Sequence, residues 1–223
     1  QENTRTFTGT DVITMVSVLE GLGVDVLGVN CSRGPKELQI TVDNILKYTS
    51  LPVMVQPNAG LPIMVNNETH YDSTAEEFSK EIKIMAKKGA AIFGGCCGTT
   101  PQYIRSIKST LDGLKPNIPS TKKITCASSA SKTVVFDNET VIIGERINPT
   151  GKKKLKEALK ENNIDYIIRE AIIQKETGSD ILDINVGLPE IDEKDMMIKT
   201  IAEIQSILSL PLQIDSAKKE VIE

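Results

Sequence analysis

The sequence has no tryptophan, only four tyrosines and four phenylalanines, and a single histidine in 223 residues. With aromatics at 4% and hydrophobic residues at 39%, any packed core has to be aliphatic, built from Ile, Val, Leu, Met and Ala. His70, the lone histidine, lies in a polar stretch and reads as a surface residue, not a metal ligand. No apolar run reaches the length of a membrane span, and the first residues do not form a signal peptide. A net charge of −4 leaves no basic footprint for nucleic acid or for an anionic membrane. The four cysteines lack a framework spacing, which points to a reducing compartment and a cytoplasmic location. The length suits one large domain or two small ones. The chain opens on Gln1 rather than Met and stops at residues 218–223, where a helix would begin, so it reads as a piece of a longer protein.

What the chain does have is two cysteine-bearing strand ends. Residues 90–93 form a short apolar run that reads as a buried strand. Gly94-Gly95-Cys96-Cys97-Gly98-Thr99-Thr100-Pro101 follows, with Thr100 as helix N-cap and Pro101 at the first helical position. Residues 24–30 are a second strand-like run, and it ends in Cys31. In a parallel α/β sheet such strand ends lie on one face and can converge. Three thiolates on one rim can hold a Zn²⁺ with its fourth position open, the arrangement of a catalytic site. The alternatives are three buried, inert cysteines and a vicinal Cys96–Cys97 disulfide, which adjacency would strain.

The rest of the chain supplies the sheet. Residues 1–9 read as a loop, and Thr10 caps a helix with Val12, Val16 and Leu19 on one face. Pro35 opens a helix lined by Leu38, Val42, Ile45 and Leu46, and residues 51–56 form a strand with 57–61 as its exit loop. Ser73/Glu76 or Thr74/Glu77 makes a capping box for a helix that turns Phe78, Ile82 and Met85 inward and ends at Gly89. A helix with Ile104, Ile107 and Leu111 follows the cysteine pair. This alternation predicts parallel strands joined by right-handed crossovers. Residues 115–136, rich in Ser, Thr, Lys and Pro, break the rhythm and read as a linker, with Cys126 an unpaired bystander in it.

Strands are predicted again at 140–147, 181–186 and 210–214, with helices between them carrying Ile167, Ala171, Met197 and Ile204. The basic run 152–160 reads as a solvated helix face. These three strands end in polar groups: Glu145 and Asn148, then Asp183 and Asn185, then Asp215. Gathered on one rim, they would suit a flat heterocycle with several ring nitrogens. Singly, Asn148 and Asn185 read equally well as turn formers and Asp215 as a helix cap.

Here the residues carry a resemblance. Gly28-Val29-Asn30-Cys31, Gln56-Pro57-Asn58-Ala59-Gly60-Leu61-Pro62 and the stretch 94–101 resemble the closing half of a homocysteine S-methyltransferase barrel. Gly144-Glu145-Arg146-Ile147-Asn148-Pro149-Thr150-Gly151, Asp183-Ile184-Asn185-Val186-Gly187 and Ile214-Asp215-Ser216 resemble the opening of a pterin-binding barrel. The two in this order are similar to the cobalamin-dependent methionine synthase family. The resemblance implies an α/β chain holding portions of two tandem (β/α)8 TIM-type barrels, each incomplete: 1–114 from the homocysteine barrel, 115–136 the linker, 137–223 from the pterin barrel.

What the resemblance implies for chemistry is methyl transfer to homocysteine, forming methionine. Zinc on Cys31, Cys96 and Cys97 would activate the homocysteine thiolate, with no catalytic residue beyond the metal site. Methyltetrahydrofolate would be the methyl source through a corrinoid, the methylcobalamin being held by a module outside this chain. Glu145, Asn148, Asp183, Asn185 and Asp215 would hold the pterin; Asn30, Asn58 and Thr99, near a helix N-terminus, would help place homocysteine. Three alternatives stand beside this. One is a zinc methyltransferase using a small donor such as betaine; another is a non-catalytic zinc module closed by Cys126; the third is an inactive fragment.

Overall fold

The computed structural model describes residues 4–6, 8–117, 119–120, 124–137 and 139–223. Parts of the expected N-terminal loop (1–3 and 7) and of the expected linker (118 and 121–123) lie outside the described residues. The chain is α/β and divides into two compact units, residues 1–123 and 124–223.

The first unit runs α1 (Val12–Gly21), β1 (Leu27–Asn30), α2 (Pro35–Tyr48), β2 (Val53–Gln56), β3 (Pro62–Val65), β4 (Glu68–Tyr71), α3 (Ala75–Lys88), β5 (Ala90–Phe93) and α4 (Pro101–Leu111). β1, β2 and β5 form a parallel sheet in that order, with Asn30 paired to Gln56 and Val55 to Phe93. Parallel neighbours need a crossover, and α2 and α3 supply it. Leu27, Val53, Val55 and Ala90 pack against Val42 and Ile45 of α2 and Phe78, Ile82 and Met85 of α3. At the start of α3 the Thr74/Glu77 capping box forms, so the first turn is fixed from both sides. Gly89 ends that helix at φ 128°, a backbone state that glycine adopts without strain.

The sequence reading needs four corrections here. The cap of α1 is Asp11, whose side chain accepts from the Thr14 amide, and not Thr10. β1 and β2 begin later than their apolar runs, at Leu27 and Val53, because a ladder starts only where a neighbour runs alongside. Ile104 is 47% exposed. Tyr103 takes the inward place, its ring edge-on to Phe78 with centroids 5.4 Å apart and its hydroxyl donating to the Ser73 carbonyl at 2.6 Å. The fourth correction is the antiparallel hairpin β3–β4, in a stretch read as loop and polar surface. Its turn is Asn66-Asn67, both at positive φ (52° and 64°). Two such residues make the mirror-image turn whose twist suits a tight hairpin.

The second unit runs β6 (Cys126–Ser128), β7 (Thr133–Val135), β8 (Ile143–Ile147), α5 (Lys153–Lys160), α6 (Ile164–Glu176), β9 (Ile181–Ile184), α7 (Glu193–Ile207), β10 (Leu212–Ile214) and α8 (Lys219–Ile222). The stretch read as a linker holds a small antiparallel hairpin, β6–β7, whose Ser129 hydroxyl donates to the Ser209 carbonyl at 2.7 Å. β10, β9 and β8 form a parallel sheet with β9 central. Every residue of β9 is buried, as a strand covered on both faces should be. Ile147, Leu182 and Ile184 meet Leu155, Leu159, Ile167, Ala171, Met197 and Ile204 in an aliphatic core. The β8–β9 register shifts after Gly144. There the buried Gln174 side chain accepts from the Arg146 amide at 2.8 Å, and a Cβ on residue 144 would stand 2.6 Å from Gln174 Oε1. No helix among the described residues is long and apolar enough to cross a membrane.

Candidate functional site

In the first unit the ends of β1 and β5 bring three thiols together. Cys31 extends the β1–β2 ladder by donating its amide to the Gln56 carbonyl (2.9 Å), then turns away sharply, with Cys31 and Ser32 at φ 61° and 64°. Positive φ at two successive non-glycine residues is uncommon and marks a backbone held by its surroundings. Cys96 donates its amide to the Pro57 carbonyl (2.8 Å), the Ala59 amide donates to the Cys97 carbonyl (2.9 Å), and the Asn58 amide donates to the Arg33 carbonyl (3.0 Å). The loop after β2 is thus laced by main-chain bonds to both cysteine loops. Thr99 closes the turn, its hydroxyl donating to the Cys96 carbonyl at 2.6 Å.

The Cys31 and Cys97 sulfurs lie 3.8 Å apart, as do those of Cys96 and Cys97, and all three lie within 4.8 Å of one another. Tetrahedral coordination with Zn–S bonds near 2.3 Å places sulfurs about 3.8 Å apart, so the spacing fits a bound Zn²⁺. All four cysteines are free thiols, and the vicinal bond is not formed. Cys31 and Cys96 are half-buried and Cys97 is exposed, which leaves a solvent-facing side to the cluster. The Ser32 backbone, then the Cys96 and Cys97 side chains, hold the Cys31 thiol below its usual pKa. Cys97 is pushed up by the hydrogen bonds and charges of Cys31 and Cys96. One thiolate forms readily here and Cys97 then resists losing its proton; a cation removes that repulsion.

The three residues expected around homocysteine are placed unequally. Asn30 is exposed at the end of β1. Asn58 is buried and its Oδ1 accepts from the Cys97 amide at 3.2 Å. The Thr99 hydroxyl is engaged by its own loop. Thr100 is the N-cap of α4 with Pro101 following, though its side chain makes no cap bond. His70 lies exposed on β4, 3.8 Å from the Glu68 carboxylate.

In the second unit the strand ends form a rim of carboxylates and amides. Asp183 is 6% exposed in the middle of β9, and its Oδ1 has no hydrogen-bond partner. Burial, then the charges of Asp215 and Glu145, push its carboxyl above the ordinary aspartate value, while the Gln213 side chain pulls the other way. Asn185 Nδ2 donates to Asp215 Oδ2 at 2.9 Å, and Asn185 Oδ1 accepts from the Gly187 amide at 2.9 Å. Asp215 continues the ladder through its amide to Ile184 and caps no helix, the cap of α8 being Lys218. Asn148 Oδ1 accepts from the Thr150 amide at 3.0 Å, so that side chain shapes its own turn. Glu145 is exposed beside Lys152, 3.6 Å away.

Two sets of residues escaped the sequence reading. Glu193, 7% exposed, accepts from the Ser216 hydroxyl and stands 3.2 Å from the Lys218 ammonium. In sequence it is one more acid in the first turn of a helix, with nothing to signal burial. Tyr71 ends β4 against the cysteine loop. The Asn66-Asn67 turn was the signal that could have revealed its hairpin.

With this geometry in place, the chain can be set beside known proteins. Residues 1–111 match the family described as homocysteine S-methyltransferase, and residues 144–223 match the family described as pterin binding enzyme. Methionine synthase of Mycobacterium tuberculosis (strain ATCC 25618 / H37Rv) is 28% identical over 218 residues, 96% of this chain and 18% of that protein. Methionine synthase of Mycobacterium leprae (strain TN) is 28% identical over 225 residues, with the same two shares of 96% and 18%. The chain therefore spans about a fifth of the length of these curated relatives. Among solved structures, the apo form of the homocysteine methyltransferase MmuM from Escherichia coli aligns at TM-score 0.40 and 25% identity, over 49% of this chain and 36% of that one. Its oxidized form aligns at TM-score 0.39 and 24% identity, over 49% and 33%.

Proposed function

Because the chain corresponds to the segment of a methionine synthase where homocysteine S-methyltransferase sequence gives way to pterin-binding sequence, we propose that it serves methyl transfer to homocysteine, forming methionine. The observation that carries this reading is the thiol cluster: Cys31, Cys96 and Cys97 at tetrahedral sulfur spacing, with one side turned to solvent. These three residues would hold a Zn²⁺. When bound, the metal lowers the pKa of a thiol ligand in its fourth position, so that homocysteine reacts as thiolate at neutral pH. The chain's own residues prepare that position. The backbone bonds of 56–59 to both cysteine loops fix the sulfurs before any ligand arrives, and Asn58 holds the Cys97 amide.

On this reading the second unit carries half of a pterin site for methyltetrahydrofolate. Asp183 keeps a buried oxygen without a partner and feels the charge of Asp215, which is already joined to Asn185. A carboxyl with a raised pKa can accept from, or donate to, the ring nitrogens and amino group of a pterin. The methyl group would pass through a corrinoid held by another module. The two sheets are then portions of tandem (β/α)8 TIM-type barrels, 1–114 and 137–223, joined through 115–136, each completed by strands beyond this chain.

X-ray absorption at zinc in the full-length protein tests the reading. Three sulfurs and one light ligand should become four sulfurs when homocysteine is added. Four sulfurs before homocysteine, or no zinc at all, overturns it.

A further inference from the structure

The β3–β4 hairpin takes no part in the chemistry above, yet its base is anchored to the cysteine loop. Leu61 and Asp72 close that base, the Leu61 amide donating to Asp72 Oδ1 at 2.7 Å and the Asp72 amide to the Leu61 carbonyl at 3.3 Å. The Ser73 amide donates to the Ala59 carbonyl (3.1 Å), and the Ala59 amide donates to the Cys97 carbonyl (2.9 Å). Tyr71, paired with Pro62 at this anchored end, is thereby delivered to the thiols through a short run of main-chain bonds. Its ring lies on the backbone of residue 98. A Cβ built on Gly98 would stand 2.2 Å from Tyr71 Cδ2 and 2.6 Å from Cγ. Residue 98 is glycine at φ +78°, so the loop has both the bare surface and the backbone state that the ring requires.

We propose that Tyr71 is a positioning residue of the three-thiol site: its ring, packed on Gly98, fixes the loop bearing Cys96 and Cys97. The proposal rests on the reading of the three thiols as a metal site. A residue that holds a ligand's loop in place raises metal affinity without touching the metal.

The test loads the full-length protein with Co²⁺ alone and compares the wild type with Tyr71→Phe and Tyr71→Ala. Tyr71→Phe keeps the ring, so the protein should fold and bind one Co²⁺ as tightly as the wild type. Tyr71→Ala, with its fold checked by circular dichroism, should bind Co²⁺ at least about tenfold more weakly, within the range for lost partners of metal ligands. Unchanged affinity in Tyr71→Ala, or an equal loss in Tyr71→Phe, overturns the role of the ring. A wild type that takes up no Co²⁺ overturns the metal reading and this proposal together; uptake by the wild type with no change in either variant overturns the proposal alone.

Discussion

In the first unit the strand-end cluster is held by main chain: Cys31 to Gln56, Cys96 to Pro57, Ala59 to Cys97, all backbone to backbone. In the second unit the strand-end cluster is held by side chains: Asn185 to Asp215, Ser216 to Glu193, Gln174 to the Arg146 amide. Both rest on a three-stranded parallel sheet. The difference follows from the chemistry of the donors. Thiols make weak hydrogen bonds and cannot hold one another in place, so the backbone must set their spacing. Carboxylates and amides make strong ones and can order themselves, provided that burial is matched by partners. A site held by backbone should lose its ligand and keep its fold when a side chain changes. A site held by side chains should lose part of its function at every member.

The largest expected effect is at the thiols. Cys31→Ser, Cys96→Ser and Cys97→Ser should each reduce bound zinc from about one per chain to near none, because two sulfurs do not replace three on an open tetrahedral site. The thermal transition of the metal-free protein should move little, since the loops keep their main-chain bonds. Zinc analysis and circular dichroism on each mutant check both halves. Unchanged zinc in all three would falsify the assignment.

The next effect is graded and spread over the second rim. Asp183→Ala, Asn185→Ala and Asp215→Ala in the full-length protein should each weaken methyltetrahydrofolate binding by about 1–3 kcal/mol, roughly five- to a hundredfold. Asn185 and Asp215 share one hydrogen bond, so their double mutant should lose less than the sum, whereas Asp183 with Asn185 should be closer to additive. Titration calorimetry reads all of these, and normal binding in all three single mutants would make these residues turn formers. The Asp183 change carries a pH signature as well. Its folded-state pKa is raised, so the folded state holds that proton more tightly than the unfolded state does. Stability contributed there is full below the ordinary aspartate value and is lost as pH rises through it toward the raised value. Asp183→Ala should flatten that fall, seen as urea midpoints across the acidic range.

How much of this the sequence shows depends on what kind of signal each feature leaves. The parallel strands and their helices are legible because apolar spacing reports burial: Phe78, Ile82 and Met85 face the core as their spacing predicts. The three thiols are legible because glycine-flanked cysteines at strand ends are chemically conspicuous. Ile104 misleads because apolar spacing does not say which of two neighbouring residues a helix turns inward, and Tyr103 wins through its ring packing and hydroxyl bond. The hairpins β3–β4 and β6–β7 stay hidden because strands of three or four residues are too short to show alternation. Glu193 and Tyr71 stay hidden because their partners are distant in sequence: Ser216 for one, the loop at Gly98 for the other.

The smallest expected effect sharpens the comparison most, because it concerns the one cysteine assigned to neither cluster. Cys126 opens β6, paired with Val135 and half-buried, and its thiol is free. Serine is nearly its shape, and the strand is only three residues long. Cys126→Ser should leave zinc per chain unchanged and shift stability by no more than about 0.5 kcal/mol, as substitutions away from tightly packed or ligating positions do. Zinc analysis and a thermal melt suffice. Loss of zinc in this mutant would mean that a fourth sulfur completes the tetrahedron. Such a site is closed and structural, with no position for a substrate thiol. The first unit's cluster would then owe its geometry to a side chain supplied by the other unit, and the contrast between a backbone-held and a side-chain-held site would fail at its first member.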